Sequence, residues 1–303
     1  MLKVAFICPI YDSRNHFSYG LSLLKSKIRN NITADLFYIF SNDQQRLKFE
    51  ILAAEEELSS DFNYLVLPEN EGKYKSQVTI KKIYGLIKLK DRYDYLAAID
   101  SEAIFIKHIE YDIVFETMWN NNDMLKANKS PNGYFIMKKC FNTLGIYNNE
   151  ILKKETNNYL YNVWFNDIPL YKCDLINDFL DWLATLNQNY KNEWMCFEYY
   201  IFMAFLVIKK GYHLSKYPLE SLGGVIEYLY VFPVWKQKEI IQMLGTHWTS
   251  SDKCITGDIG IRFHLDRDEE SEAYNSKSFF KELKRFKRDR YKNIIKERLG
   301  INK

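Results

Sequence analysis

Through the first hundred residues, short apolar runs alternate with stretches whose apolar positions recur at helical spacing. Residues 2–9 predict a first strand, which opens into the loop Pro9-Ile10-Tyr11-Asp12. Residues 16–28 place Phe17, Leu21, Leu24 and Ile28 on one helical face. Residues 35–40 read as a second strand, and Ser41-Asn42-Asp43 supplies a helix-cap sequence ahead of a helix over 47–58. Residues 63–67 form a third strand closed by Pro68. Residues 78–89 form a helix with Ile80, Ile83, Leu86 and Ile87 on one side, and residues 95–99 are an uninterrupted apolar run. Strands alternating with helices predict parallel βαβ units, and a continuous apolar run predicts a strand buried on both faces. The expected fold class is therefore α/β.

Beyond residue 110 the pattern is less regular. Residues 120–132 are polar and end in Ser130-Pro131-Asn132-Gly133, which predicts a loop, and residues 134–137 then read as a short strand. Residues 163–169 hold Asp167 between apolar neighbours before Pro169. Helices are predicted over 175–186 and from Trp194 to about Ile208. No internal repeat or low-complexity linker divides the chain, and no domain boundary is visible before about residue 240.

The candidate chemistry starts where the apolar run 95–99 ends, in Asp100-Ser101-Glu102. Two carboxylates at the tip of a buried strand cost free energy unless something pairs with them. A divalent cation carrying a diphosphate would do so, and hard oxygen ligands suit Mg²⁺ or Mn²⁺. In open α/β sheets ligands bind at the carboxyl edge of the strands, where the loop containing Pro9, Tyr11 and Asp12 also opens. A literal Asp-x-Asp at Asp266-Arg267-Asp268 has no apolar strand before it and reads as a solvated loop.

The triplet at 100–102, following its apolar strand, resembles the Asp-x-Asp motif of GT-A-fold glycosyltransferases in an Asp-x-Glu variant. The resemblance covers roughly the first two thirds of the chain. It implies a GT-A-like (Rossmann-like), mostly parallel sheet flanked by helices. It also implies that Mn²⁺ or Mg²⁺ bridges Asp100 and Glu102 to a donor diphosphate, with Ser101 at the nucleotide-sugar. In such enzymes a helix just before the motif often contacts the nucleotide. Gln77, Lys81 and Lys82 fall there, and Lys81 is the residue carried as a candidate, the alternative being a solvated helix face. Some families complete the metal site with a late His and place a Lys near the diphosphate. His247 and Lys253, in the polar stretch 245–253, match that order, with His264 as the rival ligand.

If configuration inverts, proton abstraction from the acceptor hydroxyl wants a carboxylate in a low-dielectric pocket. Glu198, among Trp194, Phe197, Tyr199, Tyr200 and Phe202, is the first candidate catalytic base; Asp167 is the alternative base or an acceptor contact, unless it is an ordinary turn acid before Ile168-Pro169. The family pattern of two adjacent acids is not met, because Tyr199 follows Glu198. A structural Glu paired with backbone or an arginine is the alternative.

Composition narrows the function classes. Of 303 residues 47% are hydrophobic and 27% charged, ordinary for a globular chain. The five cysteines are dispersed without a Cys-x-x-Cys pair, which argues against a disulfide framework or zinc knuckle and for a reducing compartment. No secretory signal or membrane-spanning run is expected. Charge is uneven: residues 277–303 carry eleven Lys and Arg against three acids, a local +8, so the preceding chain carries −5 of the net +3. Phe279, Phe280, Leu283, Phe286, Ile294, Ile295 and Leu299 interleave with those cations and predict a basic amphipathic helix. It suits either an anionic membrane surface or packing on the domain; no nucleic-acid module accompanies it.

The sequence thus predicts a GT-A-like catalytic domain over 1–240. A C-terminal segment would follow, with 241–268 completing the active site and 277–303 forming the basic helix. The expected activity is metal-dependent transfer of a sugar from a nucleoside-diphosphate donor, a UDP-sugar, to a glycan or lipid-linked acceptor in surface polysaccharide (capsule or lipopolysaccharide) synthesis. The expected location is the cytoplasm, peripheral to the inner face of the cell membrane. The alternatives are a non-catalytic carbohydrate- or nucleotide-binding protein of the same fold, and a nucleotidyltransferase. Residues 10–15 lack the glycine that a nucleotidyltransferase phosphate loop would carry.

Overall fold

Six residues, Val4–Pro9, form the first strand, β1, and every one is buried. They seed the central sheet of a computed structural model that describes residues 2–12, 14–58, 62–101, 103–105, 108–120, 125–128, 131–165, 168–214, 225–228 and 260–263. Helix α1 (Arg14–Arg29), β2 (Asp35–Phe40), α2 (Asp43–Glu55), β3 (Asn63–Val66), α3 (Gln77–Leu89) and β4 (Tyr95–Ala98) follow in the alternation that the apolar pattern predicts. The Asn42 side chain caps α2 by accepting from the Gln45 N–H.

The remaining described elements are β5 (Ala103–Ile104), α4 (Tyr111–Asn120), β6 (Leu125–Asn128), α5 (Pro131–Leu144), α6 (Glu150–Glu155), β7 (Asn162–Phe165), β8 (Leu170–Lys172), α7 (Ile176–Ala184), α8 (Glu198–Lys210), β9 (Val225–Tyr228) and β10 (Gly260–Phe263). The central sheet has the order β3-β2-β1-β4-β8. Its first four strands are mutually parallel, and β8 closes the edge antiparallel to β4, with Tyr171 opposite Leu96. The fold is α/β, a mostly parallel sheet flanked by helices.

Two smaller sheets accompany it. β6 and β7 pair antiparallel. β5 pairs antiparallel with β10, which also runs parallel to β9. The β5–β10 register sets Arg262 opposite Ala103, the residue that follows Glu102 in the chain.

Helix α3 packs unusually close to the sheet, because a side chain at Gly85 would bring its Cβ to 2.6 Å from Ile39 Cδ1 and 3.1 Å from Ile7 Cγ2. The same helix is tied at its start to the segment before α8: the Ser76 N–H donates to the Lys191 carbonyl at 3.0 Å, and Thr79 Oγ1 to the Cys196 carbonyl at 2.6 Å. Among the described residues no helix is long and apolar enough to cross a membrane.

Several expectations are corrected. Residues 134–137 are not a strand but part of α5, which starts at Pro131, where proline's missing N–H and fixed φ suit the first helical position. Met137, Cys140, Phe141 and Leu144 are its buried face. The stretch 120–132 is not all loop, since β6 lies within it. β8 was not expected, being three residues long and directly behind Pro169. The last apolar helix starts at Glu198, not Trp194. The segment 277–303 lies outside the described residues.

Candidate functional site

Asp100 lies just past the C-terminal end of β4, in a tight turn closed by the Ala103 N–H donating to the Asp100 carbonyl at 3.0 Å. The Ile99 N–H donates to the Ile7 carbonyl, which fixes this end of β4 to the end of β1. The Asp100 side chain is about one quarter exposed. Ser101 is buried, and His16 Nδ1 lies 3.2 Å from its hydroxyl. His16 in turn sits against the Tyr11 ring, with centroids 5.0 Å apart. One edge of the sheet therefore gathers the loop after β1, the start of α1 and the acidic turn.

Behind Asp100 is a buried ion cluster. Lys82 Nζ lies 3.2 Å from Asp100 Oδ1 and 3.3 Å from Glu198 Oε1. The Tyr171 hydroxyl donates to the same Glu198 oxygen at 3.0 Å. Glu198 has no exposed surface, and its Oε2 is buried without a hydrogen-bond partner among the described residues. Burial pushes the Glu198 carboxyl above its ordinary range, opposed by the Lys82 ammonium and by the Glu198 backbone N–H. The start of α8 favours a carboxylate at this position, yet desolvation outweighs it. Tyr171 is pushed well above 10 by its own burial and by the neighbouring Glu198 carboxylate.

Spacing along α3 explains the arrangement. Thr79 and Lys82, three apart, both face the segment around α8, whereas Lys81 and Gly85, four apart, face β1 and its loop. Lys81 is buried; its ammonium donates to the Ile10 carbonyl and lies 5.1 Å from the centroid of the Tyr11 ring. Burial lowers its pKa from 10.5 to about 7, opposed by Cys8 and Asp12. The alternative of a solvated helix face is thus overturned for both lysines, since neither Lys81 nor Lys82 is exposed.

The structure gathers Pro9, Tyr11, Lys81, Asp100, Ser101 and Glu198 at or beneath one sheet edge. Asp12 is turned to Lys48 of α2, 3.1 Å away. Glu198 does not open to solvent, so in this conformation its carboxylate acts on Lys82 rather than on an acceptor. Glu102, Asp167, His247, Lys253 and His264 lie outside the described residues. Lys82 and Tyr171 were not expected as site residues. Lys82 carried a signal, a cation between the apolar positions Ile80 and Ile83 of α3; Tyr171 carried none, because its three-residue strand has no periodic pattern.

The donor set fits a hard cation in kind. Asp100 offers a partly exposed carboxylate at the ligand edge of the sheet, and behind it Glu198 Oε2 is buried with no hydrogen-bond partner among the described residues. Among the described residues no group of three or more His, Cys, Asp or Glu is assembled. A cavity of about 620 Å³ opens at the other, N-terminal edge of the strands, lined by Lys3, Asp35, Arg92 and Tyr93 among others, and contains none of the predicted residues.

No protein-family model and no curated protein sequence matches this chain. Solved structures do resemble it. One is the galactosyltransferase LgtC in complex with donor and acceptor sugar analogues: 10% identity, TM-score 0.42, over 93% of this chain and 95% of that one. Another is apo mouse xyloside xylosyltransferase 1: 10% identity, TM-score 0.42, over 86% of this chain and 98% of that one. A third is S. aureus TarS 1-349, with 16% identity and a TM-score of 0.29 over 42% of this chain. That alignment spans 35% of the TarS chain. At these scores the similarities assign neither substrate nor chemistry, which rest on the side chains.

Proposed function

We propose that this chain is a metal-dependent glycosyltransferase of GT-A type, moving a sugar from a nucleoside-diphosphate donor, a UDP-sugar, to a glycan or lipid-linked acceptor. The observation that carries the reading is Asp100. It is a partly exposed carboxylate past the end of a central parallel strand, backed by a buried Lys82–Glu198 pair and flanked by the Tyr11 loop. A carboxylate at that edge of an open α/β sheet is where a ligand is expected.

Asp100 and Glu102, with His247, would hold Mn²⁺ or Mg²⁺. Bound there, the cation would supply charge stabilisation for the departing diphosphate. The chain's own residues would do the rest. Pro9, Tyr11 and Asp12 would receive the nucleotide, with Tyr11 held in place by Lys81. Ser101 and Lys253 would contact the donor's diphosphate side. In the transfer the bond from the anomeric carbon to the diphosphate oxygen breaks, a bond to the acceptor oxygen forms, and the acceptor proton passes to a carboxylate. Of the two acids assigned to that proton, Asp167 is carried forward, and Glu198 is assigned to positioning Lys82.

Residues 1–240 would form the catalytic domain and 241–268 would complete the site. The pairing of Arg262 opposite Ala103 supports the second assignment, since it brings the late segment beside the acidic turn. The basic stretch 277–303 suits the anionic inner face of the cell membrane, consistent with a cytoplasmic enzyme of capsule or lipopolysaccharide synthesis.

The test is release of nucleoside diphosphate from a panel of nucleotide sugars with Mn²⁺. The wild type should turn over at least one donor, and Asp100→Asn should lose at least about a hundredfold in kcat, as expected for removal of a charge-stabilising group. Full activity of Asp100→Asn in EDTA would refute the proposal.

A further inference from the structure

Lys82 is a cation on a carboxylate that the proposed function gives to a divalent ion. It is almost fully buried, and it reaches Asp100 Oδ1 at 3.2 Å while anchored from behind by Glu198 Oε1 at 3.3 Å. Glu198 is itself fixed by the Tyr171 hydroxyl, and α3 is fixed by the Thr79–Cys196 bond. The ammonium is therefore held at Asp100 by residues that do not face solvent.

We infer that Lys82 is a built-in counter-cation that sets the divalent-ion affinity of Asp100, with Glu198 and Tyr171 as the positioning residues that hold it there. This deepens the proposed function and rests on its assignment of Asp100 to a metal. An ammonium and a divalent cation sharing one carboxylate repel each other, and with Lys82 buried that repulsion is only partly screened. The protein alone would bind the divalent ion weakly. Glu198 makes the arrangement possible, since a buried ammonium facing a single, partly exposed carboxylate would be poorly compensated.

The experiment is a Mn²⁺ titration followed by electron paramagnetic resonance, which counts free Mn²⁺ without requiring turnover. It uses the full chain with and without UDP. Lys82→Met should tighten Mn²⁺ by about tenfold or more, and Lys82→Arg, which keeps the charge, should stay within about threefold of the wild type. Lys82→Met leaves Glu198 uncompensated, so Lys82→Met/Glu198→Gln, which removes both buried charges, guards against misfolding. It should also tighten Mn²⁺, by less, because removing the Glu198 carboxylate also takes away a negative charge that favours the cation.

Equal or weaker binding in both neutral variants, with the wild type binding Mn²⁺ and Asp100→Asn not, would overturn the role of Lys82 and leave the proposed function standing. A wild type that binds no Mn²⁺ while Lys82→Met does would support the role of Lys82 and remove metal dependence from the proposed function. No binding in any of them would overturn both.

Discussion

Lys81→Met should make the protein more stable at neutral and acidic pH, and the gain should fade as pH rises. Lys81 has no exposed surface and is compensated by a carbonyl and a ring face. Burial lowers its pKa from 10.5 to about 7. The folded state thus prefers the neutral amine. Above pH 10.5 the amine is neutral in both states and nothing is lost. As pH falls from 10.5 to 7, the unfolded chain takes up a proton that the folded chain refuses, and stability falls by about 1.4 kcal/mol per pH unit. Below pH 7 the loss is complete, about 5 kcal/mol as an upper bound. Methionine has no proton to take up, and forfeits about 1 kcal/mol for the bond to the Ile10 carbonyl at every pH. Urea unfolding of both proteins at several pH values between 6 and 10 checks this. The variant should lead by a few kcal/mol near pH 6.5 and match or trail the wild type near pH 10. Parallel stability curves over that range would refute the reasoning, and would mean that Lys81 is solvated or paired with a carboxylate.

Two further outcomes follow from the packing around the site. Gly85→Ala should destabilise by about 1–3 kcal/mol despite alanine's better helix propensity, because its Cβ meets Ile39 Cδ1 at 2.6 Å; a raised melting temperature would show that α3 can move off the sheet. Tyr171→Phe should cost about 1–3 kcal/mol, since Glu198 loses a donor in a site where its other oxygen already has none among the described residues. Unchanged unfolding in that variant would mean that Glu198 is neutral or repartnered.

The sheet was legible where burial is two-sided and helices intervene. β2, with Asp35–Phe40, occupies the predicted residues, and β1 and α3 differ from theirs by a residue or two at one end. Asp100 was legible for a related reason: charge is rare at the end of an apolar run, so it stands out against its neighbours. Legibility failed where local and tertiary signals diverge. The Ser130-Pro131-Asn132-Gly133 cluster looks like a turn, but proline there starts a helix. Lys82 reads as solvated in the sequence, since a lysine on a helix ordinarily is; its burial depends on Glu198, 116 positions later, and on β8, which is too short to announce itself. A partner so distant in sequence leaves no periodic trace, and only the folded arrangement brings it within reach.

The central claim is that the acidic end of β4 takes a divalent cation together with a diphosphate. Crystals grown with Mn²⁺ and UDP, measured at a wavelength where manganese scatters anomalously, test it most directly. The account predicts an anomalous peak at the Asp100 carboxylate with the diphosphate beside it, between the Tyr11 loop and Ser101. It would be contradicted by a nucleotide and manganese seated elsewhere, for instance beside Arg92 in the cavity at the opposite edge of the sheet, with Asp100 still paired to Lys82.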